Sequence, residues 1–293
     1  MPESKGHVRI VEVGPRDGLQ SISKIITLQD KIHYINLLTD SRLSEIEVTS
    51  FVSPKWVPQL ADSKEVSISI QKESGIRYTA LVPNKIGLEN AIDSGYDSIA
   101  LFTAASESFS MKNTHCTIED SFKRFAGMAK LWGSLNVRGY ISTVWHCPFE
   151  GKINAKSVIS IIEKYIALGI QDISLGDTIG KATVDETEHL LTLLLSRWDS
   201  SLFSLHCHDT YNDASNNIKK AMEMGIRSFD SSAGGIGGCP YAPGASGNIS
   251  TEKLMDICES SNLSTGINRD KLTQAGQFIQ SILAKDIEHH AKN

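Results

Sequence analysis

Along the whole chain, short runs rich in β-branched and aromatic residues alternate with longer stretches whose apolar residues recur every three to four positions. The first kind of run predicts strands and the second predicts helices that bury one face. Eight strands are predicted, at Val8–Val13, Glu45–Thr49, Tyr78–Val82, Ser98–Phe102, Val137–Thr143, Asp172–Leu175, Leu202–His206 and Ser228–Asp230. Helices are predicted near Leu28–Ser41, Asp62–Lys72, Lys85–Ser94, Ile118–Leu135, Ala155–Leu168, Val184–Arg197, Ala214–Met224 and Thr251–Ser260. Gly95, Gly169 and Gly225 each close a helical run just before a strand, where a left-handed C-cap suits a residue without a side chain.

Alternating βα units predict a parallel sheet. Eight of them, with short links and no Pro- or Ser-rich linker, favour one closed (β/α)8 TIM barrel over a doubly wound open sheet. The length of 293 residues suits that reading, since such barrels commonly run to roughly 250 residues. Residues 1–293 are therefore read as a single catalytic domain, with the barrel over about 8–263 and a C-terminal helical extension over about 268–293. Leu272, Ala275, Phe278, Ile279 and Ile282 would lay that extension on the barrel.

Hydrophobic residues at 40% and charged residues at 22% are enough to bury a core and give no sign of disorder. The net charge of -5 argues against nucleic acid as a partner, because phosphate backbones call for a basic face. A local basic patch for a phosphorylated cofactor is still compatible with it. No apolar run approaches the roughly 20 residues of a bilayer span. Met1–His7 is short and polar, unlike a signal or transit peptide, so a cytoplasmic protein without a membrane partner is expected. Cys116, Cys147, Cys207, Cys239 and Cys258 are odd in number and scattered, which fits free thiols.

In a (β/α)8 barrel the chemistry sits at the C-terminal ends of the strands, and here several of those ends carry unusual residues. The first strand is followed by Gly14-Pro15-Arg16-Asp17-Gly18-Leu19-Gln20, and the second carries Glu47 and runs into Ser50-Phe51-Val52-Ser53-Pro54-Lys55-Trp56. The sixth ends in Gly176-Asp177-Thr178 and the seventh in His206-Cys207-His208-Asp209. After the eighth come the glycine-rich stretch Gly234 to Tyr241 and then Gly247-Asn248. His206 and His208 are two apart, so both point to one side of the strand and Cys207 to the other.

With Asp17 and Asn248, the two histidines make a mixed oxygen and nitrogen set that suits Mg2+ or Mn2+. Zinc competes, with Cys207 and Cys239 nearby, but strand alternation turns Cys207 away and no C-x-x-C spacing is present. Each residue also has a plainer reading. A histidine can bond a backbone carbonyl, Asp17 can make a turn, and Asn248 can cap a helix. Arg16 would place a fixed guanidinium where an enolate oxygen develops charge, unless it is only a surface ion pair. Glu47 and Asp177, costly to bury alone, would pair with Arg16, a histidine or a metal-bound water, as organisers or as catalysts. Cys239, in a loop that glycines make pliable, could exchange protons or simply fill a turn. That loop matches neither a Walker loop nor a strand–G-x-G-x-x-G–helix unit.

Five stretches resemble the HMG-CoA lyase family, in the family's order, over about Val8 to Phe278. They are Arg16 to Gln20, Ser50 to Gln59, Leu175 to Gly180, His206 to Tyr211 and Gly237 to Ala242. The S-F-V-S-P-K-W-V-P-Q and G-G-C-P-Y-A stretches are specific, whereas R-D-G and H-x-H also resemble the isopropylmalate and homocitrate synthases and some aldolases. The resemblance implies retro-Claisen cleavage of 3-hydroxy-3-methylglutaryl-CoA to acetyl-CoA and acetoacetate with a divalent cation. It implies Asp17, His206, His208 and Asn248 as metal ligands, and Arg16 at the thioester enolate. Cys239 and His206 would move protons, and Glu47 and Asp177 would orient the site. The acyl-CoA would meet Arg16, Gln20, Ser50, Asn113, Arg138 and Tyr140, and a homodimer or other homo-oligomer is expected.

One departure stands out. Before Cys147-Pro148, where the family carries a small or cysteine-containing stretch, this chain reads Ser142-Thr143-Val144-Trp145-His146. Placed at the end of the fifth strand, Trp145 and His146 would lie close to substrate and alter the acyl group accepted. A Claisen synthase is the alternative enzyme, disfavoured because no regulatory domain follows the barrel. A non-catalytic binding barrel is disfavoured by the full set of candidate ligands.

Overall fold

The computed structural model describes residues 6–239 and 242–284 of the chain. Eight parallel strands stand in chain order around one ring: β1 (Arg9–Glu12), β2 (Glu45–Ser50), β3 (Arg77–Leu81), β4 (Ser98–Ala104), β5 (Asn136–Ser142), β6 (Ile173–Asp177), β7 (Phe203–Cys207) and β8 (Ser228–Ser231). β1 pairs with β8, Val11 opposite Asp230, and the closed TIM barrel has no free edge.

Alternation decides what each strand gives to which side. Ile46, Val48, Ile99, Leu101, Ile173, Leu175, Phe203 and Leu205 point outward and are at most 1% exposed. They form one large core with the helices α1 (Leu28–Asp40), α2 (Ser63–Ser69), α3 (Lys85–Asp93), α4 (Glu107–Thr114), α5 (Ile118–Trp132), α6 (Ala155–Ala167), α7 (Val184–Leu195), α8 (Ala214–Glu223) and α9 (Thr251–Ser260). The inward side is largely polar. Thr79 donates to Ser98 at 2.9 Å and Ser204 to Ser228 at 2.7 Å, in place of the branched apolar layers usual in such barrels.

The helices begin where capping residues begin them. The side chains of Thr27, Asn84, Ser106, Thr117, Asn154, Thr183 and Ser250 each accept a backbone N–H in the first turn of the helix that follows. Gly95, Gly169 and Gly225 adopt φ of 77°, 82° and 96°, the left-handed conformation expected of them. The short α4 has no predicted counterpart, because only Phe109 and Ser110 of it are buried and no apolar stripe marks it. Two small hairpins also went unpredicted: His146–Cys147 with Gly151–Lys152, and Gly238–Cys239 with Ala242–Ser246.

The C-terminal extension is α10 (Arg269–Ala284), whose Leu272, Ala275 and Ile279 are fully buried. His33 of α1 meets Phe278 edge-to-face at 4.6 Å, and Lys24 donates to the carbonyl of Ile282 at 2.9 Å. The predicted extension beyond 284 lies outside the described residues. Among the described residues no helix is long and apolar enough to cross a membrane.

Candidate active site

β1 leads into a single π-helical turn, Gly14–Gly18, which aims Arg16 and Asp17 into the mouth of the barrel. Glycine is required at its start: a Cβ on Gly14 would stand 2.5 Å from the Tyr34 hydroxyl and 2.6 Å from Glu12 Oε1. Arg16 is buried against two carboxylates. Its Nε donates to Glu47 in a very short contact, and its Nη1 donates to Asp17 Oδ1 at 2.6 Å. The Tyr140 hydroxyl takes the other oxygen of Glu47, and the Arg16 guanidinium lies 5.4 Å from the centre of the Tyr140 ring. Burial pushes Glu47 up, against the pull of Arg16 and Tyr140.

β7 brings the two histidines to the same mouth, ring centres 5.3 Å apart, while Cys207 between them turns into the outer core. Asp17, His206 and His208 each offer one ligand atom, all within 4.8 Å of one another. Asn248 completes the group from the segment before α9. It bridges His208 through its backbone, and its Nδ2 donates to Asp17 Oδ2 at 2.9 Å. Asp17 and Asn248 stand 231 positions apart in the chain.

The electrostatics suit a cation. Burial opposes ionisation of Asp17, but Arg16, His206 and His208 override it and hold the carboxyl well below the usual range. His208 is pushed down to about 4 by burial and by His206, so it is neutral at neutral pH. Its Nδ1 is buried and lacks a hydrogen-bond partner among the described residues. A neutral imidazole with an unsatisfied buried nitrogen, beside an ionised carboxylate, fits a hard or borderline divalent ion.

A cavity of about 960 Å³ opens above this cluster. Arg16, Asp17, Tyr140, His206 and His208 line its floor, and Gln20 and Asn113 also line it. Its outer part is walled by Trp56, from the S-F-V-S-P-K-W-V-P-Q stretch, and by three residues outside every motif: Lys112, His115 and Arg124. Trp56 rests on His115 with ring centres 4.4 Å apart. Lys112 and Arg124 supply the local basic patch that the net charge left room for. Their signal was weak because Lys112 stands on α4, which lacks an apolar stripe, and Arg124 on the exposed face of α5, so both cations read as solvent-facing.

Other expected residues stand beneath or beside the cavity. Glu47 and Arg138 are buried one layer down, Arg138 paired with Asp230 at 2.5 Å. Ser50 is buried and accepts the Val52 N–H at 3.2 Å. Asp177 accepts the N–H groups of Lys181 and Ala182, both at 3.0 Å, and burial raises its carboxyl to about 6. Cys239 has its backbone in the hairpin whose Gly238 lines the cavity, and Gly238 N donates to Ser21 Oγ at 2.9 Å. The Cys239 side chain, with Pro240 and Tyr241, lies outside the described residues.

Trp145 and His146 require a correction. They do not line the cavity, because the hairpin after β5 turns them towards the start of α7. The Trp145 indole N–H donates to the Glu186 carbonyl at 3.3 Å, and His146 Nε2 meets Glu186 Oε2 at 2.9 Å. Proximity in sequence to the end of β5 therefore says nothing here about the acyl group. Asp230, unmarked in the sequence, proves to touch a candidate ligand: its Oδ2 lies 3.2 Å from His206 Nδ1.

The HMGL-like family model matches residues 7–279. The mitochondrial hydroxymethylglutaryl-CoA lyase of Macaca fascicularis is 48% identical over 274 residues, covering 93% of this chain and 84% of that protein. The crystal structure of the HMG-CoA lyase from Brucella melitensis superposes with a TM-score of 0.93 at 43% identity, over 94% of this chain and 99% of that one. An HMG-CoA lyase from Acinetobacter baumannii, in complex with coenzyme A and 3-methylmalate, gives a TM-score of 0.90 at 38% identity, over 95% and 92% of the two chains. The chain belongs to the HMGL-like family, that of the HMG-CoA lyases.

Proposed function

We propose that this chain cleaves 3-hydroxy-3-methylglutaryl-CoA to acetyl-CoA and acetoacetate with the help of Mg2+ or Mn2+. The observation that carries the proposal is the meeting of Asp17, His206 and His208 within 4.8 Å, beside the buried guanidinium of Arg16 and at the floor of a cavity large enough for an acyl-CoA arm. Asp17, His206, His208 and Asn248 would hold the cation, Asn248 through its amide oxygen. Bound there, a divalent ion supplies Lewis acidity that eases loss of the substrate's hydroxyl proton.

The reaction asks for three things at once. The tertiary hydroxyl must lose its proton, the bond between C2 and C3 must break, and the thioester carbonyl must take up the electron pair as an enolate. Arg16, held by Glu47 and Tyr140, is the preorganised donor for that oxygen. His206, whose Nε2 lies 3.8 Å from Asp17 Oδ2, would take part in moving the hydroxyl proton when that nitrogen is not holding the cation. Cys239, in the hairpin over the cavity, would deliver a proton to C2 and release acetyl-CoA. Asp177 would hold the turn at 181–182 beside the site, and Lys112 and Arg124 would meet the CoA phosphates.

The direct test incubates the protein with 3-hydroxy-3-methylglutaryl-CoA and Mg2+ and follows acetoacetate, with and without a chelator. Acetoacetate formed only in the presence of the ion supports the reading. No product, or equal product from fully stripped protein, overturns it.

A further inference from the structure

An ionic column runs inside the barrel where apolar layers are usual. At the mouth opposite the active site, the half-buried Arg9 pairs with Glu45 and with Asp172, each at 2.6 Å. Asp172 lies 3.8 Å from Nη1 of Arg138, and Nη2 of Arg138 reaches Asp230 Oδ1 at 2.5 Å. Ser174 donates to Asp230 Oδ2 at 2.7 Å, and that same oxygen lies 3.2 Å from His206 Nδ1. Asp230 and His206 are paired in the ladder between β8 and β7, so both side chains point to the barrel interior at one level. Charges of alternating sign thus lead through the barrel from its far mouth to one nitrogen of a candidate ligand.

We infer that Asp230, backed by Arg138, is a positioning residue that holds the proton of His206 on Nδ1 and turns Nε2 towards Asp17, and so sets the affinity of the Asp17–His206–His208 cluster for its cation. The inference rests on the cation-binding reading proposed above. A neutral imidazole has one nitrogen that donates and one that accepts. Asp230, ion-paired with Arg138 and receiving the Ser174 hydroxyl, has only acceptor capacity to offer His206. In the uncharged ring Nδ1 then carries the hydrogen, which leaves the lone pair on Nε2, 3.8 Å from Asp17 Oδ2. A carboxylate behind the ring also makes the ligating nitrogen more basic. Arg138 touches neither the ring nor the cluster, and its part is to keep Oδ1 occupied and the charge balanced.

Asp230→Asn separates this role from simple packing. Arg138 can accept nothing, so it must keep the amide oxygen, and the amide NH2 is then presented to His206 Nδ1. The tautomer reverses without a change of size, as wrong-tautomer variants do in other sites. The test uses the full chain and two readouts: the ring tautomer by 15N NMR on histidine-labelled protein before any metal is added, and Mn2+ binding followed by the electron paramagnetic resonance of free Mn2+. Recorded at a pH high enough for the ring to be uncharged, the unaltered chain is expected to show Nδ1–H at His206. Asp230→Asn is expected to show Nε2–H and to bind Mn2+ about 10–100-fold more weakly. Should that variant fail to fold, Ser174→Ala removes one hydrogen bond to Asp230, keeps the Nδ1–H tautomer and is expected to weaken Mn2+ binding by a few-fold. Unchanged tautomer and unchanged Mn2+ affinity in Asp230→Asn, or unchanged affinity in Ser174→Ala if only that one folds, overturn the inference. If the unaltered chain takes up no Mn2+, or takes it up equally after His208→Ala, the cation reading fails, and an unreversed tautomer in Asp230→Asn then overturns the Asp230 assignment separately.

Discussion

Arg16 donates through Nε to Glu47, a residue 31 positions away in the chain, and the two side chains share a buried contact just beneath the floor of the cavity. With Asp17 taking Nη1, the guanidinium is pinned from two sides before any substrate arrives. Preorganisation of this kind removes the reorganisation cost that water would impose on a developing oxyanion.

Replacing that fork tests it. Arg16→Lys keeps the charge but supplies no planar pair of donors. Turnover of 3-hydroxy-3-methylglutaryl-CoA is expected to drop by roughly 100–1000-fold while KM moves little. Steady-state kinetics showing unchanged kcat would refute the enolate role.

Glu47→Ala leaves the Arg16 guanidinium buried with one counter-charge fewer. Breaking such a pair from one side costs about 3–5 kcal/mol. Urea melts of the variant should show a loss of that size, and a loss below about 1 kcal/mol, the scale of an exposed pair, would mean that Glu47 does not anchor Arg16.

Cys239→Ala should slow turnover and leave Mn2+ uptake intact, since the four proposed ligands do not include the thiol. Loss of bound metal in this variant would make Cys239 a ligand instead of a proton carrier.

A pH effect follows from Glu12, at the end of β1. It accepts the N–H groups of Gly14 at 3.0 Å and Ala233 at 2.9 Å and the Thr251 hydroxyl at 2.7 Å. Burial nonetheless raises it from an ordinary 4.5 to about 7. Between those values the folded chain keeps a proton that the unfolded chain has lost. The group's contribution to stability is therefore complete below about 4.5 and disappears as pH climbs through about 7. Glu12→Gln lacks this titration. Denaturation at about pH 5 and about pH 8 should show the variant gaining on the unaltered chain at the higher pH, and a constant difference would rule the titration out.

Much of the architecture was legible in the residues themselves. Alternation of short β-branched runs with amphipathic helices specified eight βα units, and the glycines at 95, 169 and 225 marked helix ends that the structure reproduces. The H-x-H spacing correctly sent His206 and His208 to one side and Cys207 to the other, because a strand's period of two is local geometry. Strand-end position also singled out Arg16, Asp17 and Glu47 before any contact between them was visible.

What local pattern could not contain is which side chains meet once the sheet closes. Periodicity tells which way a residue faces and is silent about its partner across the barrel. Only closure of β1 on β8 brings Asp17 to Asn248, and only strand register sets Asp230 beside His206. The same holds for Trp145 and His146, which a hairpin of two short strands carries away from the mouth that their place in the sequence suggested. The amino-acid sequence by itself determined the units and the direction in which each side chain points. The tertiary structure alone decided the contacts, because distances between residues hundreds of positions apart depend on ring closure and register, which no stretch of chain encodes in isolation.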